Sequence, residues 1–568
     1  MQNHEIATIF DEVADMIEVS EDNFFRVRAY RNAARTIRDC TTQLAEMSAE
    51  TVQKLPGIGA DLGGKIATIL ATGELPLHRE LRHKVPPGII ALLRVPGLGP
   101  KRARALAEKL KVRDLSDLKK AAQSGAVATL RGFGPKMQHQ ILQHLTELER
   151  HPAVRTLYSD AALVVEQLLA HMRKSRVVER LELAGSFRRR RETVGDLDLL
   201  AISSKPAAVM EQLVSFPGVA EVVAKGETKT SVALNSGLHV DLRVVPRQSY
   251  GAAMVYFTGS QAHGVHLRRI AIKHGFLLNE YGLYRDGTVI AAAKEEDIYA
   301  ALDLKWIPPE LREDRGEIEA AEAGKLPALI ERSDLRGDLH THTTYTDGRA
   351  SVEQMAQAAR ERGLDYIAIT DHSHRLAMAH GLDPKRLAEQ WREIERVEKA
   401  LGGIRLLRGI EVDILDDGSL DLPDKTLAQL DWVVASVHYK LEQSPAEMTR
   451  RIIKAIRNPN VDVLGHPSGR LLNRRAPSEF DLAEVLKVAR EEGCAMEVNS
   501  QPERLDLTDG ACLNAKHAGV KLVVSTDSHH PHDFAFVEYG LNQARRGWIE
   551  AAEVLNTRPL EKLRQRRR

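Results

Sequence analysis

Between residues 335 and 529 the sequence carries seven short apolar runs, each ending in a polar residue, with helix-like stretches between them: LRGDLH, DYIAITDH, IRLLRGIEVD, WVVASVH, VDVLGH, CAMEVN and KLVVSTDSH. Strand-like runs alternating with helices specify a parallel sheet. Functional groups at successive strand C-termini mark the end at which (β/α) barrels build their sites. Seven strands predict a slightly distorted barrel. The polar residues are His340, His342, Asp347, His372, Glu411, His438, His466, Asp527 and His529. Any one alone is compatible with a hydrogen-bonded structural role, but nine at corresponding places point to a polynuclear metal site. Imidazole and carboxylate without thiolate suit zinc, manganese or iron. His340 and His342, two apart on a strand, share a face. Glu497 and Asn499 are candidates for outer contacts to ligands or substrate, whereas His374, His380, His530 and His532 fall outside the pattern.

The whole chain has 568 residues, enough for several hydrophobic cores. With 43% apolar and 28% charged residues, its composition is that of a globular protein and excludes collagen-like and coiled-coil classes. It has no uninterrupted apolar stretch of membrane-spanning length. The N-terminal MQNHEIATIFDEVADM has acids where a signal peptide is basic, so a cytoplasmic protein without membrane association is expected. Cys40, Cys494 and Cys512 lack CxxC spacing and predict neither disulfide framework nor thiolate zinc site. The formal net charge of +1 conceals two opposite parts: residues 51–200 hold 26 Lys and Arg against 15 Asp and Glu, and residues 301–550 hold 33 against 43. The first balance suits a polyanion and the second, rich in His, suits cations; either is also compatible with a solvated surface.

Residues 6–18 and 24–38 space their apolar positions as amphipathic helices. Three similar turns follow, Leu55-Pro56-Gly57-Ile58-Gly59, Val95-Pro96-Gly97-Leu98-Gly99 and Leu130-Arg131-Gly132-Phe133-Gly134, each leading into a helical run. Glycines at 57, 59, 97, 99, 132 and 134 let backbone N–H groups turn outward at a helix start, where they can hold a phosphate oxygen. The middle apolar residue can pin each turn to a core. This turn resembles the helix-hairpin-helix motif, which grips the DNA backbone without reading bases. Lys65, on the helix after the first turn, is read either as a phosphate-contacting or solvated lysine or as a Schiff-base nucleophile toward an abasic 5′ sugar.

At 185–200, GSFRRRRETVGDLDLL places Asp196 and Asp198 on one face of a predicted strand. Carboxylates so close repel unless a cation lies between them. In HVDLRVV at 239–245 the alternation puts Asp241 and Arg243 on one face. Three converging carboxylates suit two-metal phosphoryl transfer, with Gly185, Ser186 and Arg189 on the phosphate tail; the competing reading is an edge strand with solvent-facing acids.

The order of the glycine turns, GSFRR, GDLDLL, Asp241 and Tyr256-Phe257-Thr258-Gly259-Ser260 resembles the X-family DNA polymerases over about residues 1–315. The resemblance implies Asp196, Asp198 and Asp241 as ligands of Mg2+ or Mn2+, with Asp241 accepting the primer hydroxyl proton. It implies Arg155, Ser186, Arg189 and Gly195 on the incoming triphosphate, Tyr256, Phe257 and Gly259 at the sugar, and Arg268 on the nascent pair. Gly264 stands where relatives have a base-contacting asparagine, and Asp61 where they have a second lysine of the lyase site. The C-terminal pattern is similar to the PHP (polymerase and histidinol phosphatase) domain, which holds up to three divalent ions, here Mn2+, Zn2+ or Fe2+. By that resemblance His340, His342, Glu411 and Asp527 bind one ion, Glu411 bridges to a second held by His438 and His466, and Asp347, His372 and His529 complete a third.

The expected architecture is multidomain: an all-α helix-hairpin-helix region, an α+β nucleotidyltransferase palm and thumb, and a C-terminal distorted (β/α)7 PHP barrel. The divisions are 1–80, 81–150 (fingers-like), 151–245 (palm), 246–315 (thumb-like), 316–334 (linker) and 335–568. The charged, proline-bounded segment 308–335 reads as a linker or connecting helix, and the tail Arg564–Arg568 as a DNA-contacting or disordered end. The implied function is gap-filling DNA synthesis in base excision repair with 3′–5′ exonuclease activity, extending to 3′-phosphatase and abasic-site endonuclease chemistry. The implied partners are gapped or nicked DNA and deoxynucleoside triphosphates, for a monomeric enzyme. Two other readings are a PHP phosphoesterase with a non-catalytic DNA-docking front half, and a DNA-end-binding scaffold.

Overall fold

A computed structural model describes residues 3–20, 24–40, 44–55, 57–85, 89, 92, 95, 98, 100–130, 132–150 and 155–563. The chain divides into two compact units, Met1–Val154 and Arg155–Arg568.

The first unit is helical. Helices Asn3–Ser20 and Phe24–Asp39 extend the two expected amphipathic segments and bury Ile6, Phe10, Val13, Ile17, Tyr30 and Ile37 in one core. The three glycine turns close alike. Ile58 N–H donates to Leu55 O at 3.0 Å, Leu98 N–H to Val95 O at 2.9 Å, and Phe133 N–H to Leu130 O at 3.1 Å. Ile58, Leu98 and Phe133 are buried in the shared core, so each turn is anchored from below. The helices Ala60–Thr72, Pro100–Leu110 and Gly134–Arg150 follow. Gly57 and Gly132 take left-handed φ of +75° and +92°, which a side chain resists. Gly97 and Gly99 lie outside the described residues, as does Arg564–Arg568.

The second unit begins with a five-stranded sheet in the order Arg180–Leu183, Asp196–Ile202, His239–Val244, Lys229–Leu234, Val219–Lys225. Its alternation buries Leu197, Leu199, Val240 and Leu242 against the helices Tyr158–Met172 and Pro206–Val214, and turns the aspartates to the other face. Helices Tyr250–Thr258 and Gln261–Lys273 and a three-stranded antiparallel sheet follow, around Leu267, Leu283, Ile298 and Ile307. The charged segment after residue 308 is packed against this core. Its helix Glu317–Glu322 buries Ile318 and Ala321, and Glu317, fully buried, lies 2.7 Å from His263 Nδ1.

Seven parallel strands then lie side by side in chain order: Gly337–Thr341, Tyr366–Ile369, Arg405–Asp413, Trp432–Ser436, Val463–Leu464, Ala495–Asn499 and Leu522–Ser525. A parallel bridge between Thr341 and Ser528, with His342 N–H donating to Ser528 O at 2.8 Å, brings the last strand back to the first. Strands buried on both faces read as continuous apolar runs, which is why the seven runs were visible. Caps start the intervening helices: Ser351 and Ser444 each form a reciprocal capping box with the residue three positions on.

The barrel rests on the five-stranded domain through ion pairs. Arg546, 3% exposed, donates to Glu313 at 3.1 Å, to Asp509 at 2.6 Å and to the carbonyl of Arg189 at 2.8 Å. Arg470 reaches Glu192 at 2.7 Å, and Arg545 reaches Glu310 at 3.0 Å. Beneath them Glu295 takes a bidentate pair from Arg188 at 2.8 and 2.6 Å and a third bond at 2.8 Å from the fully buried Arg312. Burial would raise the Glu295 pKa, but Arg188 and Arg312 outweigh it and lower it from 4.5 to about 2. Glu295→Ala, which strands a buried guanidinium, should destabilise the protein by about 3–5 kcal/mol, read as an earlier urea unfolding midpoint. Because the folded-state pKa is depressed, this stability is present above 4.5 and lost as pH falls toward 2. The stability gap between wild type and Glu295→Gln should therefore narrow across that window.

Candidate active sites

Asp196 and Asp198 sit on one strand and Asp241 on its parallel neighbour, with Asp198 directly opposite Asp241 in register. The three carboxylates share a face, as expected. Burial first, then Asp196 and Asp241, push Asp198 up to about 7, and burial with Asp241 raises Asp196. A divalent cation would relieve this repulsion, so the donor set fits hard oxygen-liganded ions. Asp241 accepts from Ser231 Oγ at 2.5 Å and pairs with Lys229 at 3.0 Å. Gly185 has φ +60°, and a side chain there would overlap the Asp198 carboxylate. The glycine thus lets the GSFRR turn, Gly185–Arg188, approach the acids.

Ser186 Oγ on that turn is buried without a hydrogen-bond partner, a feature a ligand phosphate would satisfy. Arg189 is already engaged by Glu313 at 3.1 Å and by the Thr258 carbonyl. Arg155 donates to Thr193 O at 2.8 Å and lies against Gly195, where a Cβ would meet its guanidinium at 3.2 Å. Tyr256 and Phe257 pack edge-on, with centroids 5.0 Å apart, Arg243 over Phe257 at 4.6 Å and Arg268 over Tyr256 at 5.9 Å. Tyr256 is 46% exposed, so the pair is not a buried core pair. Gly259 closes the helix with φ +68° beside Arg189. A Cβ on Gly264 would come no nearer than 3.8 Å to Arg268, leaving open space where a larger residue could stand.

In the first unit, Lys65 Nζ lies 2.5 Å from Asp61 and 5.3 Å over the Tyr30 ring. Burial alone would lower its pKa, but Asp61 and Tyr30 reverse the sign and raise it. The lysine is held as an ammonium, opposite to the free amine of the Schiff-base reading. The cause is the acid at position 61.

At the mouth of the barrel all nine expected residues converge. Glu411 is central. One oxygen faces His466 Nε2 at 2.8 Å and His438 Nε2 at 3.3 Å; the other faces His372 Nδ1 at 2.8 Å, His340 Nε2 at 3.5 Å and His342 Nε2 at 3.6 Å. Asp527 lies 3.1 Å from His342, and Asp347 lies 3.3 Å from His372 and 3.4 Å from His529. Among the described residues three sets could each surround a cation: His340, His342 and Asp527; His372, Glu411 and His438; and His342, Asp347, His372 and His529. His372 therefore reaches both Glu411 and Asp347, and His342 serves two sets. His340 Nε2 and both nitrogens of His342 are buried without hydrogen-bond partners. Burial, with His529 and His372 nearby, pushes His342 down to about 3, which keeps the imidazole neutral as a metal ligand must be. Burial would raise Glu411, but His438, His372 and His340 hold it well below the usual carboxylate range. The residues fit divalent ions.

Behind the ligands stand orienting groups. Glu497 holds His340 Nδ1 at 2.7 Å and accepts from His466 N–H at 2.6 Å, and Asn499 donates to Asp527 at 3.0 Å. Asp413, overlooked in the sequence, holds His438 Nδ1 at 2.8 Å. Its signal was its place two residues after Glu411 on the same strand, hence on the same face.

Comparison with known proteins matches four segments of the chain to known domains. Residues 1–75 match a helix-hairpin-helix domain model, 89–147 a SAM-like helix-hairpin-helix tandem, 253–313 the DNA polymerase beta thumb and 338–501 the PHP domain. A Bacillus subtilis protein named DNA polymerase/3′-5′ exonuclease PolX is 36% identical over 565 residues, covering 99% of this chain and 98% of the relative. A probable phosphatase of a Thermoanaerobacter species is 32% identical over 234 residues, 39% of this chain and 89% of the relative. A probable phosphatase of Vibrio campbellii is 29% identical over 235 residues, again 39% of this chain, and 88% of the relative. With both metal-ready sites present and a relative aligned along nearly the whole length, the chain belongs to the X-family DNA polymerases that carry a C-terminal PHP domain.

Proposed function

We propose that the protein extends a DNA 3′-hydroxyl with deoxynucleoside triphosphates at the Asp196, Asp198 and Asp241 site and removes 3′ nucleotides at the PHP site, in gap-filling repair. The observation that carries the reading is the presence, in one chain, of a carboxylate triad sharing one sheet face and a nine-residue imidazole and carboxylate cluster. Divalent ions held by the triad, Mg2+ or Mn2+, and up to three at the barrel, Mn2+, Zn2+ or Fe2+, supply charge neutralisation and activation of the attacking oxygen.

The chain's own groups do the rest. Asp241, beside Lys229, is positioned to take the primer hydroxyl proton. Ser186 offers an unpartnered hydroxyl to the triphosphate, and Arg189 adds positive charge once the phosphates compete with Glu313 for it. Tyr256 and Phe257 offer the sugar an aromatic face. At the barrel, Glu497, Asp413 and Asn499 orient His340, His438 and Asp527. The same chemistry covers removal of a 3′-phosphate and incision at an abasic site, since each breaks a phosphoester beside a 3′-oxygen. The glycine turns grip the duplex backbone. Lys65 is assigned to phosphate contact rather than lyase chemistry, because Asp61 keeps it charged. No helix among the described residues is long and apolar enough to cross a membrane. We assign the protein to the cytoplasm, acting as a monomer.

On a gapped, end-labelled duplex, Asp198→Ala and Gly185→Ala should abolish extension and leave digestion intact, while His342→Ala and Glu411→Ala should do the reverse. Extension that persists in Asp198→Ala would remove the polymerase assignment and favour a docking role for the front half. Glu497→Gln should lower metal affinity by about 10–100-fold in a titration, with extension unchanged.

A further inference from the structure

A cleft of about 1130 Å³ opens directly onto the barrel cluster, with Asp347, Asp527 and His529 in its floor. Its walls come from both folds of the second unit. From the barrel come Arg349, Arg504, Phe536 and Tyr539, with Glu503 paired to Arg474 at 2.8 Å and Asp533 accepting from His529 N–H at 3.0 Å; from the polymerase side comes the helix Tyr158–Met172, which presents Leu163 and Asp160. Leu163 is 62% exposed, an apolar side chain left uncovered at the edge of a polar site. Phe536 and Tyr539 lie with centroids 6.1 Å apart, and Tyr539 abuts Tyr158 edge-on at 6.1 Å, fastening the two walls together. Among the described residues neither Arg349 nor Arg504 forms an ion pair. Unpaired cations interleaved with aromatic faces beside a metal-ready floor are the combination that binds single-stranded nucleic acid.

We propose that this cleft is the strand-binding subsite of the nuclease and that the palm helix forms part of it. Arg349 and Arg504 take backbone phosphates, Phe536 and Tyr539 stack on a base near the 3′ end, and Leu163 packs against the strand from the polymerase side. The proposal rests on the nuclease reading above. It extends that reading by assigning substrate-positioning residues outside the metal ligands, one of them on the other fold.

The test uses the full chain in EDTA with a single-stranded oligonucleotide carrying 2-aminopurine at its 3′ end. Binding to the wild type should quench the fluorescence through stacking. The double variant Phe536→Ala/Tyr539→Ala should lose the quench and bind about tenfold more weakly, and Tyr539→Phe should keep it. Arg349→Gln and Arg504→Gln should each reduce the salt dependence of binding by about 0.7 in log–log slope. Leu163→Glu should raise KM for digestion of the oligonucleotide in Mn2+ without lowering kcat, while primer extension, which reports folding, stays at the wild-type rate. An unaltered quench in the double variant, or an unaltered KM in Leu163→Glu, overturns the subsite. Hydrolysis of bis-p-nitrophenyl phosphate by the wild type separates the two ideas. Its absence removes the nuclease reading, whereas the quench in EDTA still decides whether the cleft holds a strand.

Discussion

A guanidinium taken out of water must be matched by carboxylates, and the position of Arg546 between Glu313, Asp509 and the Arg189 carbonyl is the contact on which the arrangement of the second unit depends. Glu313 also holds Arg189, the residue of the GSFRR turn that we propose meets the triphosphate. One carboxylate thus serves the nucleotide site and the seam to the barrel together. Glu295, with Arg188 and Arg312, repeats the device one layer below. The barrel is consequently a fixed wall of the polymerase fold rather than an appendage on a tether. The segment after residue 308 agrees, since it spends its acids on buried partners such as His263.

The two metal-ready centres solve opposite electrostatic problems. In the palm, three carboxylates on adjoining strands repel one another, and burial together with that repulsion raises Asp198 to about 7. In the barrel, one buried glutamate is surrounded by five imidazoles, and its carboxyl is held far below its ordinary range. The first centre offers oxygen ligands alone, a set that suits hard ions; the second adds nitrogen, which suits softer ones. That contrast follows from residue types already present in DLDLL and in His340-Thr341-His342.

Those types were legible in the sequence because strand alternation and strand ends impose a short period, so Asp196 and Asp198, or His340 and His342, announce a shared face. The seven runs were visible as continuous apolar stretches ending in polar residues, and the three glycine turns as an internal repeat. What escaped notice joins residues far apart in the chain. The bond from Arg188 to Glu295 and that from Arg470 to Glu192 leave no local pattern, so neither the fixed barrel nor the prior engagement of Arg189 could be read from spacing. Asp413 was missed because a single acid in an apolar strand looks the same whether it orients an imidazole or faces solvent. The two readings of Lys65 stayed open in the sequence because Asp61 stood out there as a departure from a family pattern, whereas its place as an ion-pair partner one helical turn away shows only in the fold.

The bridge from Thr341 to Ser528 has a consequence for the order in which the protein is made. His340 and His342 belong to the first barrel strand, and Asp527 and His529 follow the last. A ribosome therefore releases the complete palm long before it releases the residues that bring the ends of the barrel together. The three palm carboxylates are thus made before any of the nine barrel residues, and the barrel cluster stays incomplete until His529 has been added, so its assembly is among the later events of synthesis.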